Sequence, residues 1–540
     1  MGVATRSNRI RIGAVPIAAA ALVMLRCVSG LAQDAGSSAD AHQKRGIAYL
    51  NQHDLPKALA EFRAAVLARP EEPVAHDDLG VALAESGRTD EATKEFEAGL
   101  RLSDDFTPAH FHLALALDRQ GRTSEAIPEY EATLRQQPNL IDARYALSAA
   151  CWKVGDWDGA IQLLRQVIER NPPFAAEARR NLGLELKQEG KLDEAVQEFK
   201  AAINLQSDSP QLYLALAQTL TEKQDLDGAI ASARKAVALA PNSPESNYDL
   251  AEALRLKSDL EAAEAQYRRV LELDPSYPYA HRQLGFVLRQ KGSYDAAATE
   301  LKEAAEADAQ DAEARYYLGS VLLKLNDVEH AVENFTEALR LNPYDSAAHI
   351  ALAGALNRTG KAQEAPAEIG KAQALDKLTA DAGRSRILLG SAEEHLKKGD
   401  VNTALDELRQ AAQLSPEYPE VQFQLARTLQ MKGAAPSEVE KTLRRAVELK
   451  PDYAEAHLQL GIVLKSMGRT PEATTEFRRA RDLAPSLVEA HRALGKAART
   501  ARDWPAAIAE FGAIMVWNKD DREAQRELSF ALAQRKQQRK

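Results

Sequence analysis

Cysteine is nearly absent from this 540-residue chain, which has only Cys27 and Cys151. So few thiols cannot build a disulfide framework, the usual support of small exported domains, so the chain must be held by packing. Aromatic residues make up only 6%. No apolar run reaches the roughly 20 residues that a membrane-spanning helix needs. Basic residues form no long cluster before the last few positions, and the formal charge is −10. Nucleic acid binds through clustered positive charge, so it is not an expected partner. Catalytic signatures are missing too: there is no GxSxG, no phosphate-binding loop, no HExxH and no paired CxxC.

What the chain does have is a period of about 34 residues. The windows AHDDLGVAL, AHFHLALAL, AHRQLGFVL, AEAHLQLGIVL and EAHRALGKA each place Gly or Ala directly after Leu. Further along each unit comes an Ala (Ala92, Ala126, Ala297, Ala473, Ala507), then a large apolar residue (Phe96, Tyr130, Leu301, Phe477, Phe511). Small residues at two fixed places let two helices approach, and the large one fills the remaining space. Gly87, Gly121, Gly155, Gly190, Gly292, Gly360, Gly399 and Gly468 mark the turn between the helices, where a positive φ suits Gly. Pro138, Pro275, Pro343, Pro451 and Pro485 close their units, because Pro cannot continue a helix.

This pattern resembles the tetratricopeptide repeat family over nearly the whole chain, in about fourteen units. The resemblance implies an all-α fold, a right-handed α-solenoid of stacked antiparallel helix pairs with a concave groove. It implies binding and no inherent chemistry. Ten units occupy residues 39–377 and four occupy 385–521, and the residues between, 378–384, read as an insertion or hinge. Pro366 falls early in a second helix and is expected to distort it. Residues 522–540 read as a capping helix with a basic tail, its apolar residues being Leu528, Phe530 and Leu532.

Residues 1–32 have a different layout. Arg6, Arg9 and Arg11 precede an apolar run from Ile12 to Leu25, and Gly30-Leu31-Ala32 resembles a cleavage site. That is the layout of a secretory signal, followed by a flexible lead-in at 33–38. Export to the periplasm or outside the cell is therefore expected, with membrane contact only through an uncleaved signal. Cleavage would remove four Arg and leave Cys151 as the single thiol. Cys151 falls at an apolar place in its helix and reads as a buried, inert residue.

Seven histidines (His42, His76, His110, His281, His349, His457, His491) share one place in their repeats. Stacked helices stand about 8–10 Å apart, too far for rings on successive repeats to share one ion, so packing is expected and no metal or cofactor. Function then falls to the groove, which by the resemblance is lined by the first helix of each unit. Its exposed places carry Phe111, Tyr145, Trp152, Tyr248, Tyr279, Phe286, Tyr316 and Phe423, with Arg180, Lys187, Arg255, Arg282, Arg289 and Arg427. Aromatics and Arg dominate binding hot spots, and Arg pairs carboxylates through two bonds. The Lys and Asn set by which some family members grip a C-terminal carboxylate is missing. The expected function is a non-catalytic scaffold in the cell envelope that binds extended protein segments in its groove. The alternative is a structural part of an envelope assembly or polysaccharide-export complex that uses its convex face.

Overall fold

The computed structural model describes residues 38–170, 175–277 and 279–538. Among the described residues run 28 α-helices and one short 3-10 turn, with no strand. Within each unit most helices pair consecutively, first with second, and second helices then pack on the next first helix. The expected all-α solenoid is therefore what the chain forms. The signal and lead-in, 1–37, lie outside the described residues.

The packing rule works at the level of single atoms. A Cβ built on Gly80 would stand 2.4 Å from the ring of Phe96, and one on Gly461 would stand 2.6 Å from the ring of Phe477. Hydrogen is all that fits there, so Gly after Leu brings the first helix onto the large residue of the second. Phe96, Tyr130, Leu301 and Phe511 are accordingly buried, as are Ala92, Ala126, Ala297 and Ala507.

The turn between paired helices uses one residue in the left-handed region. Gly121 has φ 77, and in five repeats His53, Gln224, Ser258, Asn326 and Arg502 hold the same place at φ 57–66. Gly360, expected at this place, has no positive φ. There the chain passes through the 3-10 turn Ala362–Glu364 instead. Six second helices are capped by Asp54, Asp225, Asp259, Asp327, Asp400 and Asp503, whose side chains accept a backbone N–H from the first turn. Each such cap stabilises its helix by about 1 kcal/mol.

The repeating histidines tie first helix to second. In all seven, Nδ1 lies 2.5–2.8 Å from the carboxylate of a Glu 19 residues further on. In six, Nε2 also faces a main-chain carbonyl 2.9–3.2 Å away, in the segment that leads into the first helix. The packing role is specific: each ring bridges two helices, and six of the seven also hold the loop before them.

The chain divides into two compact units, Met1–Glu185 with Gly433–Lys540, and Leu186–Lys432. In the first unit, sequence-distant repeats close on each other. The Trp504–Trp517 helix lies against the Thr123–Gln136 helix. Trp517 is 5% exposed, and its indole Nε1 donates to Glu131 at 2.7 Å. Gln162 donates to the Trp517 carbonyl at 2.6 Å. Asp156 accepts from both the backbone and the hydroxyl of Ser486, each at 2.7 Å. A Cβ on Gly512 would meet the end of the Arg135 side chain at 2.6 Å, so Arg135 lies directly over this glycine. Burial pushes the Glu131 carboxyl up in pKa against the pull of His491 and the indole bond.

The first unit ends in the Arg522–Gln538 helix, where Ala524 and Ala531 are buried and Leu528 is partly buried, against Trp504, Ile508, Phe511 and Ile514. Phe530 and Leu532, expected as part of the covering face, are about half exposed. The smaller Ala residues sit against the neighbouring helix, and Phe530 instead lays its ring edge-on to Trp504, 5.8 Å between centroids. A chain truncated after Asp521 should melt several degrees lower or aggregate, because Phe511 and Ile514 lose their cover. Equal melting and solubility would refute the capping role.

In the second unit, residues 378–384, read as an insertion or hinge, lie within a helix. One 33-residue helix, Ala365–Lys397, joins the second helix of the tenth repeat to the first helix of the eleventh. Pro366 sits in its first turn, where a missing N–H costs nothing, so the expected distortion does not occur. KAQALDKLTADAGRSR contains no Pro, and its single Gly383 is too weak to stop a helix of Ala, Leu, Lys and Arg.

Candidate functional site

Three successive first helices of the second unit, Pro244–Leu256, Ala280–Gln290 and Ala312–Lys324, carry a continuous row of aromatic and cationic side chains. The guanidinium of Arg255 lies 5.4 Å from the centre of the Phe286 ring, and that of Arg289 lies 5.2 Å from the same ring. Arg289 also lies 5.3 Å from the Tyr317 ring. Phe286 and Tyr317 are 5.1 Å apart, and Tyr316 follows 5.4 Å further on. Arg282 covers the exposed Tyr279 at 4.7 Å. The row exists because residues three and four apart on one helix share a face, and equivalent places on stacked helices are neighbours.

The charges on this row are mostly paired. Arg282 binds both oxygens of Asp311, at 2.9 and 3.1 Å, and also pairs with Glu313 at 2.9 Å. Burial opposes the Arg282 charge, but Asp311 and Glu313 more than offset that, so its pKa is raised. Asp311 also caps its helix by accepting the Ala314 N–H at 2.9 Å. Arg255 is held by Glu252, with Nη2 at 2.9 Å, and Glu252 also accepts from the hydroxyl of Tyr267.

Other residues expected in the groove have different surroundings. Phe111, Tyr248 and Phe423 are buried, which corrects their assignment as open contacts. Phe111 stacks towards Tyr130 of its own second helix, and Tyr248 packs between Tyr267 and Tyr277. Phe423 lies under Arg427, which is exposed. Large rings at these places reach the paired helix, and that contact removes them from water. In the first unit, Tyr145 donates to Glu177 at 3.0 Å and receives Asn181, which Arg180 also contacts. Trp152 stands edge-on to Trp157 at 5.8 Å. Lys187 pairs with Glu222 at 2.9 Å.

Tyr317 was missed by reading only fixed places of each repeat; the Tyr316-Tyr317 doublet was the available signal. The His–Glu bridges were missed as well, although a Glu recurs 19 residues after each His.

Among the described residues no group of three His, Cys, Asp or Glu could hold a metal ion. Cys151 is buried, and burial, with nearby Asp156, Glu131 and Glu185, pushes its thiol far above the usual range. A cavity of about 580 Å³ beside the long helix is lined mainly by Leu339, Pro343, Tyr344, Leu352 and Leu375. Its His349–Glu368 pair is the bridge found in six other repeats. Among the described residues no helix is long and apolar enough to cross a membrane.

Comparison with known proteins agrees with this architecture. The family model described as "Tetratricopeptide repeat" matches residues 44–105, 78–141, 145–211, 181–244, 214–278, 389–454 and 458–516. Related repeat models match 287–326 and 312–345. No curated protein matches the chain. Among solved structures, a complex described as Naa15/Naa10 bound to HypK-THB is 14% identical, covering 92% of this chain and 96% of its own, with a TM-score of 0.35. MamA from Desulfovibrio magneticus RS-1 is 24% identical over 31% of this chain and 95% of its own, with a TM-score of 0.30. YrrB, described as a TPR protein with an unusual peptide-binding site, is 18% identical over 41% of this chain and 95% of its own, with a TM-score of 0.27.

Proposed function

This chain belongs to the tetratricopeptide repeat family, and on that premise we propose that it binds extended protein segments along the first-helix face of its second unit. A scaffold for protein–protein interaction is the role the repeats support. The observation that carries the finer reading is the row Arg255–Phe286–Arg289–Tyr317–Tyr316. Its rings offer large apolar area with few rotatable bonds, so little entropy is lost on binding. The row runs across three successive helices, whereas small-molecule sites are usually enclosed. We assign no chemistry to the protein. We also propose that it works after export, in the cell envelope, on the strength of the basic, apolar and small-residue layout of residues 1–32.

Two expected results test this reading. Chain isolated from its native host should begin near Gln33 by N-terminal sequencing; protein that retains Met1 in the cytoplasm would reject export. Phe286→Ala with Tyr316→Ala should weaken capture of envelope proteins about tenfold or more, since buried aromatic hot spots contribute at least 2 kcal/mol. Glu194→Ala and Glu261→Ala, on second helices, should change capture little. If both pairs of variants capture partners equally, binding lies on another face.

A further inference from the structure

We propose that Arg289 receives a side-chain carboxylate, an Asp or Glu of the bound segment; this rests on the first-helix row being the binding face. Of the three arginines on that row, Arg282 is paired through Nη1 with Asp311 and Glu313, and Arg255 is held by Glu252. The Arg289 side chain has no hydrogen bond or ion pair with any described residue, and its Nε is buried without an acceptor. A guanidinium stays charged at any relevant pH and carries five N–H donors in a rigid fork. Stacking on Phe286 and Tyr317 holds that fork in place and leaves its in-plane donors unfilled. An unmet, partly desolvated and immobilised cation has already met the ordering cost of binding an anion, so its pairing energy appears as affinity.

The charge count on the row selects the anion. Glu252, Asp311 and Glu313 already stand there, the first on Arg255 and the other two on Arg282. Of the three arginines only Arg289 has no acidic partner, which matches a single carboxylate. A phosphate dianion would leave surplus negative charge beside Glu313. The rings of Phe286, Tyr316 and Tyr317 offer apolar surface to either side. The preferred segment therefore carries an acidic residue next to an apolar one.

The test pans a library of random 12-residue peptides, displayed on phage without a free C-terminus, on the full chain and on Arg289→Gln. The wild-type chain should enrich peptides with Asp or Glu beside an apolar residue, and Arg289→Gln should lose the acidic preference. Synthetic versions of an enriched peptide, with Glu→Gln or with an amidated C-terminus, are then titrated by fluorescence anisotropy. Glu→Gln should lower affinity about ten- to a hundredfold on wild type, the usual worth of a charged hydrogen-bonded pair. On Arg289→Gln the same peptide change should do almost nothing. Arg289→Lys keeps the charge but not the fork and should fall between. Circular dichroism checks that each variant is folded. Acidic enrichment that persists on Arg289→Gln, or an equal Glu→Gln effect on both proteins, overturns the assignment while leaving the binding face intact. Loss of binding on amidation alone moves the carboxylate to a chain end and also overturns it. Failure of the wild-type chain to enrich any peptide overturns the binding face and the Arg289 assignment together.

Discussion

Trp517→Ala should destabilise the first unit by about 3–5 kcal/mol, the usual cost of emptying a buried aromatic site. The effect should reach repeats far away in sequence. Trp517 is buried beside the Thr123–Gln136 helix, and removing its indole also strips the donor from Glu131, which is itself buried. An acceptor left without its partner adds about 1–3 kcal/mol. In an ordinary repeat stack each unit feels only its neighbours, so damage at the last repeat stays local. Here Gln162, Asp156 and Arg135 meet residues from the other end of the chain. Hydrogen exchange should therefore quicken in residues 123–170 as well as in 488–538. Trp517→Phe keeps most of the ring but not the N–H, and should lose less. Exchange that quickens only in the C-terminal repeats would show that the two ends do not support each other.

Arg282→Glu should cost about 3–5 kcal/mol, and Arg289→Glu should cost little. The two stand on one helix and look equivalent in sequence. Arg282, with its side chain 12% exposed, neutralises Asp311 at 5%. Breaking a buried pair leaves an uncompensated charge, which is what makes the loss large. A new Glu at 282 would also face Glu313, and it would disturb the Asp311 cap on the Ala312–Lys324 helix. Arg289 has no such partner to abandon. Thermal unfolding of the two single variants compares them directly. If Arg282→Glu melts with Arg289→Glu, the Asp311 pair is not structural. The same contrast bears on any binding assay: loss of capture in Arg282→Glu reports stability first, while loss in Arg289→Glu reports the site.

The helix-pair architecture and the main packing contacts were legible in the sequence because they repeat. Gly80 against Phe96 and Gly461 against Phe477 are short-range events inside one unit, and the same spacing writes them again each time. The turns marked by Gly were readable, apart from Gly360, whose neighbours bend through a 3-10 turn, whereas those at His53, Gln224, Ser258, Asn326 and Arg502 carry no Gly to mark them. The aromatic and cationic row was half legible. Phe286, Arg289, Tyr316 and Arg255 follow from helical spacing, but whether an Arg is free or paired depends on which acid the next repeat brings beside it. That is why Arg282 and Arg289 part company, and why Tyr248 turned inward onto Tyr267 and Tyr277.

Sequence alone thus determined the fold class, the unit of repetition and the face on which cations and rings gather, since each is a matter of local period. Tertiary structure decided the long helix Ala365–Lys397, where no residue is strong enough to break a run that packing can carry through. It also decided the clasp of Trp517 on Glu131. Those residues stand 386 apart, and small angles added over many stacked repeats set whether they meet.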